Sequence, residues 1–272
     1  MTNLPPEAEF QRERTARNRN LITEEEQERF YNSTIGIAGL SVGSSIATAI
    51  VLMGGGKHLR LADHDTLELS NMNRIVASVE DIGKQKTEII AQKLLAMNPY
   101  QDLKLFQEGL TEENMEKFMT GLDVMIDEVD NMAIKYRIRE MCKKLRIPLV
   151  SAADNGERAI IDVERYDRDP QPEFFHGRLG TISYEQLANL DRISTGRMIT
   201  KLIGDKNVPQ RMHESLAQIG KTLTSWPQLG GTAMLNGAAV AYCVRRILNN
   251  QPIVDNRAII SLDETLNERT IE

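Results

Sequence analysis

The stretch TIGIAGLSVG, residues 34–43, decides the fold of this 272-residue chain. Residues 34–39 are apolar and rich in β-branched side chains, which predicts a buried strand. The turn that follows leads into a helix of small residues, and such a turn lets backbone N–H groups approach a phosphate. Gly39, Ser41 and Gly43 are therefore candidate nucleotide-binding residues. A tight strand-to-helix turn without a ligand can also use two glycines, so this pattern alone leaves both interpretations open.

Short β-branched runs alternate with longer segments of helical period along the rest of the chain, which predicts βαβ units around a parallel sheet. Strands are predicted at 34–39, 58–65, 103–109, 123–129 and 148–152, and helices at 44–53, 80–97, 111–120 and 131–145. After these come a sixth strand at 158–166, antiparallel or at an edge, a loop at 167–172, short helices within 184–224, a long helix at 232–248 and a last strand at 258–262.

The fold class that follows is α/β: a Rossmann-like, mostly parallel twisted sheet with flanking helices, extended at its C-terminal side by an antiparallel part. Residues 1–32 are predicted to form an N-terminal arm. Residues 33–272 are predicted to form one domain, with a nucleotide-binding half at 33–155 and a loop, helical and final-strand region at 156–272.

Composition narrows the classes of function. The 33 basic and 39 acidic residues give a net charge of −6, so neither a nucleic acid nor a membrane surface is an expected partner. The polar N-terminus has no apolar signal-peptide core, and no stretch has the length of a membrane span, which predicts a cytoplasmic protein. Cys142 and Cys243 are too few for a disulfide scaffold or a four-thiolate zinc site, so no zinc is expected.

Two carboxylates stand at the end of the second predicted strand. Asp63 and Asp65 follow the glycine turn at the distance where a dinucleotide fold places a carboxylate on the ribose hydroxyls. Residues two apart share one face of a strand, so His64 is expected to face the other way. The triplet could also form a metal site, but a structural histidine is the favoured interpretation.

The segment after Asp65 contains cationic and amide side chains that distinguish an enzyme acting on ATP from an oxidoreductase. An enzyme that attacks the α-phosphate of ATP must neutralise developing negative charge, and Arg74 and Lys86 would supply positive charge, with Asn71 and Asn73 beside them. An oxidoreductase that binds NAD(P) or FAD needs no such cluster. Alternatively, Lys84, Lys86 and Lys93 have no role in binding and simply form a solvent-exposed face of the predicted helix at 80–97.

The fourth predicted strand ends in the acidic segment 127–131. Ligands bind at the carboxyl edge of a parallel sheet, and a carboxylate there can hold Mg²⁺ that bridges phosphates. Asp130 is the candidate metal ligand. It is also a plausible N-cap of the next helix, and the two roles can coexist.

Three motifs in register resemble the E1-like superfamily, which includes the ThiF, MoeB and HesA proteins and the adenylation domains of ubiquitin-activating enzymes. Residues 63–74, DHDTLELSNMNR, resemble its D-x-D-T-x-x-x-S-N-x-x-R motif, and the others are its G-x-x-K at 83–86 and its D-N at 130–131. The resemblance covers residues 17–155 closely and the tail to 262 loosely.

This resemblance implies roles for residues of the present chain. Asp63 would bind the ribose of ATP, Asn71 and Arg74 would contact phosphates, Lys86 would stabilise the α-phosphate, and Asp130 would hold Mg²⁺. Residues 17–22 are similar to a family segment whose second arginine reaches the ATP site of a neighbouring protomer. That similarity makes Arg19 a candidate arginine finger and implies a homodimer with shared sites.

The implied activity is ATP-dependent adenylation of a carboxylate, with release of pyrophosphate. The expected substrate is the C-terminus of a small ubiquitin-like or sulfur-carrier protein, or of a peptide. The chain departs from the family in its glycine turn, in the absence of paired C-x-x-C motifs and in having no cysteine in the expected thioester region. Cys142 and Cys243 lie within predicted helices and are expected to be buried. A non-catalytic E1-like partner subunit remains an alternative, as does the NAD(P)- or FAD-binding oxidoreductase.

Overall fold

A computed structural model describes residues 4–223 and 225–266, apart from the side chain of Arg192. A seven-stranded sheet runs in the order β3-β2-β1-β4-β5-β6-β7. The strands are β1 (Thr34–Ala38), β2 (His58–Ala62), β3 (Asp102–Phe106), β4 (Val124–Asp127), β5 (Leu149–Asn155), β6 (Arg158–Glu164) and β7 (Arg257–Ser261). Neighbours among β1 to β5 pair in parallel, whereas β6 pairs antiparallel with both β5 and β7. The predicted α/β sheet with an antiparallel extension is thus confirmed.

Helices cover both faces of this sheet. They are α1 (Glu7–Arg14), α2 (Glu24–Tyr31), α3 (Val42–Leu52), α4 (Lys86–Met97), α5 (Met115–Met119), α6 (Met132–Leu145), α7 (Tyr184–Ala188), α8 (Arg192–Ile203), α9 (Gln210–Leu216), α10 (Gly230–Leu248) and α11 (Leu262–Leu266). Apolar side chains of α3, α4 and α10 share one core with the sheet, and those of α5 and α6 share another. The small residues of α10 permit close packing, since a Cβ on Gly237 would lie 2.8 Å from the backbone of Ser45 in α3.

The N-terminal residues pack against this layered core. Gln11 in α1 donates a hydrogen bond to Asn98 after α4 (3.0 Å), and Tyr100 donates to the carbonyl of Pro5 (2.6 Å). A capping box between Thr23 and Glu26 starts α2. Residues 5–11 therefore lie where α4 ends, whereas Gln27 in α2 donates to the carbonyls of Met53 and Gly54 at the end of α3.

Several predicted boundaries are wrong, and two of them affect candidate site residues. The strand predicted at 58–65 ends at Ala62, because the Asp63 carboxylate accepts hydrogen bonds from the backbone N–H groups of Leu40 and Asp65 (2.6 and 2.8 Å) and bends the chain. The helix predicted at 80–97 begins only at Lys86. Gly83 precedes it with φ +88°, a backbone conformation that no helix contains.

Among the described residues, no helix combines the length and the apolar character needed to cross a bilayer.

Candidate active site

A cavity of about 590 Å³ opens where the carboxyl ends of β4 and β5 meet the start of α3. Ser41 and Val42 line it at the first turn of α3. The first N–H groups of a helix have no partner within the helix and favour an anion. The cavity therefore offers an anion-binding end at α3.

The glycine turn is shaped by close backbone contact. Gly39 has φ +87°, and a Cβ there would lie 2.3 Å from the carbonyl oxygen of Glu128, so only glycine fits. On Gly43, a Cβ would lie 3.0 Å from Ile37, which lets α3 approach β1. The N–H of Leu40 is already bonded to Asp63. Ser41 is therefore the first residue of this turn that faces the cavity.

Lys86 is the first residue of α4 and is only 5% exposed. Its Nζ donates to Asp65 Oδ2 at 2.7 Å and lies 4.0 Å from Asp63 Oδ1. Partial burial acts to raise the pKa of Asp65, but the hydrogen bond and charge of Lys86 outweigh it and lower that pKa. Lys84, in contrast, is exposed and pairs with Asp81. The alternative of one solvated lysine face is therefore wrong for Lys86.

Arg74 lies on the cavity wall, where hydrogen bonds fix its guanidinium. Its Nε donates to Ser41 Oγ (2.7 Å), and its Nη1 donates to Ser70 O and Asn73 Oδ1 (3.2 and 2.9 Å). Burial lowers its pKa, against the opposing charges of Asp154 and Asp130. An arginine stays protonated after such a shift, so the site keeps a fixed cation beside the first turn of α3.

The two candidate asparagines have different positions. Asn71 lines the cavity, and its Oδ1 accepts the backbone N–H of Glu68, which closes the 3-10 turn at 69–71. Asn73 is exposed and donates to the carbonyl of Gln228 (2.8 Å). Asn73 therefore ties the Arg74 segment to the loop before α10.

Asp130 lies in the cavity beside two lysines. Its side chain is exposed to the cavity, where desolvation raises its pKa and the charges of Lys135 and Lys86 oppose that rise. The cap of α6 is Asn131, whose Oδ1 accepts from the N–H groups of Ala133 and Ile134 (2.9 and 3.1 Å). The interpretation of Asp130 as the N-cap is therefore wrong, and its carboxylate is left facing the cavity.

The expected orientation of His64 is also wrong. Because β2 ends at Ala62, strand alternation does not apply, and His64 Nε2 lies 3.3 Å from Asp65 Oδ1. One ligand atom from each of Asp63, His64 and Asp65 lies within 4.8 Å of the others. The side chain of His64 is 76% exposed, so it is not a buried structural histidine. The ammonium of Lys86 already provides the positive charge beside Asp65 that a metal ion would supply.

A second half of the cavity extends past Arg74. Asp154, at the end of β5, is 4% exposed and accepts hydrogen bonds from Asn236 in α10 and from Gln228 (3.3 Å). Burial raises its pKa to about 6. Side chains of β6, α8 and the loop before α10, among them Ile160, Ile199, Ile203 and Trp226, form the apolar walls.

The cysteines are buried, as predicted. Cys142 in α6 and Cys243 in α10 are free thiols. Burial raises the pKa of Cys142 well above its usual value and that of Cys243 to about 11. A thiol that stays protonated at neutral pH is a poor nucleophile.

Arg19 lies away from this cavity. It lines a separate cavity of about 490 Å³ formed by α1, α2 and Gly54. Its neighbour Asn18 donates to the carbonyl of Met53 at the C-terminal end of α3, whereas Ser41 lies at the N-terminal end. An 11-residue helix is about 16 Å long, so Arg19 and the site of its own chain lie at opposite ends of α3.

The structure thus brings part of the predicted set together. The candidates that line the cavity are Ser41, Asp65, Asn71, Arg74, Lys86 and Asp130. Those that support it from behind or lie elsewhere are Gly39, Gly43, Asp63, Asn73 and Arg19.

Sequence reasoning missed Lys135 and Asp154. Lys135 lies one turn into α6 and reaches back to Asp127 (3.2 Å) while lining the cavity. The helical spacing from Asn131 could have identified it. Asp154 lies beyond the predicted end of the fifth strand at 152, in the part of β5 that pairs antiparallel with β6, so the rule for the ends of parallel strands did not identify it.

Comparison with known proteins places this arrangement in a family. The sequence pattern of the ThiF family matches residues 15–164. A protein named "Uncharacterized protein MT1398" from Mycobacterium tuberculosis (strain CDC 1551 / Oshkosh) is 36% identical over 257 residues, which is 94% of this chain and 36% of that protein. The sulfur carrier protein ThiS adenylyltransferase of Escherichia coli K12 is 36% identical over 132 residues, 48% of this chain and 52% of that enzyme.

A solved structure agrees in fold. The crystal structure of PaaA superposes with a TM-score of 0.69 at 21% identity, covering 97% of this chain and 82% of that chain. The present chain matches only 36% and 52% of the lengths of the two relatives named above. The fold, the motif positions and the matched pattern agree, and the chain belongs to the ThiF family.

Proposed function

We propose that this chain is an ATP-dependent adenylyltransferase that activates a carboxylate as an acyl-adenylate and releases pyrophosphate. The observation that carries the proposal is the convergence of Arg74, Lys86 and Asp130 on one cavity at the N-terminus of α3. A site for a reacting polyphosphate needs fixed positive charge and a ligand for its metal, and these residues supply both.

The reaction joins a carboxylate oxygen of the substrate to the α-phosphorus of ATP and breaks the bond to the pyrophosphate oxygen. A carboxylate is already a nucleophile at pH 7, so no general base is needed. Arg74 and Lys86 neutralise the charge that develops on the phosphate, and the bonds that fix Arg74 to Ser41 and Asn73 orient it beforehand.

Asp130 is the residue proposed to hold Mg²⁺. Its carboxylate faces the cavity and takes no part in capping α6, and a hard cation prefers such an oxygen ligand. An ion held there would help to neutralise the negative charge of the ATP phosphates. No zinc is part of the proposal, because the sequence has no paired C-x-x-C motifs.

The proposed substrate is the C-terminus of a sulfur-carrier or ubiquitin-like protein, or of a peptide, in keeping with the ThiS adenylyltransferase named above. The buried thiols support a reaction that stops at the adenylate or passes it to a separate nucleophile. We place the reaction in the cytoplasm.

A homodimer is part of the proposal, because Arg19 could reach a nucleotide site only in a neighbouring protomer. Arg19→Ala and Lys86→Ala, each inactive alone, should regain activity when mixed and allowed to exchange subunits. Arg12 lines the same N-terminal cavity, so Arg12→Ala is the matched control and should be active alone. Proven exchange without recovery would refute a shared site.

Pyrophosphate exchange tests the activity itself. In the presence of ATP, Mg²⁺ and a peptide ending in Gly-Gly, labelled pyrophosphate should enter ATP. Lys86→Ala should abolish this exchange, whereas Lys84→Ala, on the exposed side of the same segment, should not. A thermal shift with ATP and Mg²⁺ but not with NAD⁺ would separate adenylation from the oxidoreductase alternative. Exchange at the wild-type rate in Lys86→Ala would refute its role.

A further inference from the structure

The half of the cavity beyond Arg74 contains a carboxylate that the chemistry proposed above does not use. Asp154 ends β5 on the side of β4 away from β1 and β2. Asn236 donates to its Oδ1 and Gln228 to its Oδ2. Asp154 is therefore held in one orientation on the cavity wall.

Without a bridging cation such as the one proposed at Asp130, this carboxylate would repel the nucleotide phosphates. The reacting carboxylate of the substrate also needs cations and must lie beside Arg74 and Lys86. Asp154 is close enough to Arg74 for its charge to act on the guanidinium. The part of the substrate that contacts Asp154 is therefore the part bonded next to the reacting carboxylate group.

A carboxylate offers about four acceptor positions on its two oxygens, and two are taken by Asn236 and Gln228. We propose that Asp154 determines specificity by accepting a hydrogen bond from the amide N–H that adjoins the reacting carboxylate group, so that the substrate is the C-terminal end of a peptide chain. The inference rests on the adenylation proposed above and adds a residue that selects its substrate class.

A neutral donor suits this position better than an ammonium group. The charge of Arg74 already acts on Asp154, and a second cation beside Arg74 would be repelled. The apolar side chains of Ile160, Ile203 and Trp226 border the same half of the cavity and can pack against an extended chain. A free amino acid, whose ammonium is next to its carboxylate, is thereby disfavoured.

Three small carboxylates separate these possibilities in the pyrophosphate exchange assay. Acetyl-Gly-Gly carries the amide N–H, acetyl-Gly-glycolate replaces it by an ester oxygen, and glycine carries an ammonium. We expect the wild-type kcat/KM to be about tenfold or more higher for acetyl-Gly-Gly than for the ester, because a site built around a donor rejects an analogue that lacks it.

Asp154→Asn and Asp154→Ala should reduce that preference to within about threefold. Asp162→Asn is the matched control, since Asp162 lines the same half but is paired with Arg257 (2.6 Å), and the preference should persist. A merely structural defect would lower both rates together and leave their ratio unchanged.

Exchange that proceeds with equal rates for amide and ester in the wild type, or a preference that survives in both Asp154 variants, would overturn the inference while leaving adenylation intact. A preference for glycine would overturn it as well. Absence of exchange with every probe, in protein that still binds ATP, would overturn the proposed adenylation and this inference with it.

Discussion

Replacing Asp154 by asparagine should make the protein gain stability relative to the wild type as the pH rises, because the folded structure holds the charged carboxylate at an energetic cost. Burial raises the pKa of Asp154 to about 6, and the hydrogen bonds of Asn236 and Gln228 and the charge of Arg74 only partly oppose the rise. An aspartate in an unfolded chain has a pKa of about 3.9, so the difference of roughly two units corresponds to ~3 kcal/mol of unfolding free energy.

The direction of this pH dependence of stability follows from which state, folded or unfolded, binds the proton. Below about pH 4 the carboxyl is protonated in both states and costs nothing, whereas between about pH 4 and 6 only the folded state holds the proton. Unfolding free energy therefore falls as pH rises through this window. The negative charge of Asp154 also raises the pKa of Glu128, so its removal acts in the same direction there.

Urea unfolding at pH 5, 6 and 7.5 measures the effect. The stability of Asp154→Asn relative to the wild type should grow by about 1.4 kcal/mol between pH 5 and 7.5. Asp191→Asn is a control without a pH trend in this range, because the N–H of Ser194 lowers the pKa of Asp191 and both states are therefore ionised at all three pH values. A difference that does not change with pH, or that shrinks as pH rises, would refute the reasoning.

Three further outcomes are expected. Asp130→Asn should lose most activity and need more Mg²⁺ for the remainder, since an amide is a weaker ligand for a hard cation than a carboxylate; an unchanged Mg²⁺ titration of exchange would show that the metal is held elsewhere. Replacing both cysteines by serine should leave exchange unimpaired, and a thiol-labile conjugate trapped on the wild type would contradict this. Gly39→Ala should destabilise the protein by more than the roughly 1–2 kcal/mol that a left-handed backbone costs an alanine, because the added Cβ would also clash with the carbonyl of Glu128. Gly83→Ala, with φ +88° and no atom within 4 Å of its Cβ, is the control with backbone strain alone, and equal losses in urea unfolding would contradict the clash.

The order of strands and helices could be read from the sequence because it depends on local patterns. Runs such as 34–39 and the alternation of strand and helix determine a parallel sheet without knowledge of distant contacts. The boundaries at Ala62 and Lys86 could not be predicted in this way. They depend on Asp63 accepting the N–H of Leu40, a residue 23 positions earlier, and on the left-handed backbone at Gly83.

The candidate site was predictable where a motif specified it and not where a distant partner decides a side chain's role. Asp127 ends β4, and Asp154 lies near the end of β5, in the part that pairs antiparallel with β6, so both carboxylates lie at the edge of the sheet where ligands bind. Asp127 is not available to a ligand, because Arg139 donates a hydrogen bond to its carboxylate at 2.7 Å in the protein interior. Lys135 also pairs with this carboxylate.

Asp154 has no such ion pair at hydrogen-bond distance among the described residues, only the neutral amides of Gln228 and Asn236, which come from the far end of the chain. A carboxylate bonded only to amides keeps its charge and its free lone pairs for a ligand, whereas one enclosed by two cations does not. The distinction between a structural and a recognising carboxylate therefore rests on contacts between β5 and α10, which no local sequence pattern contains.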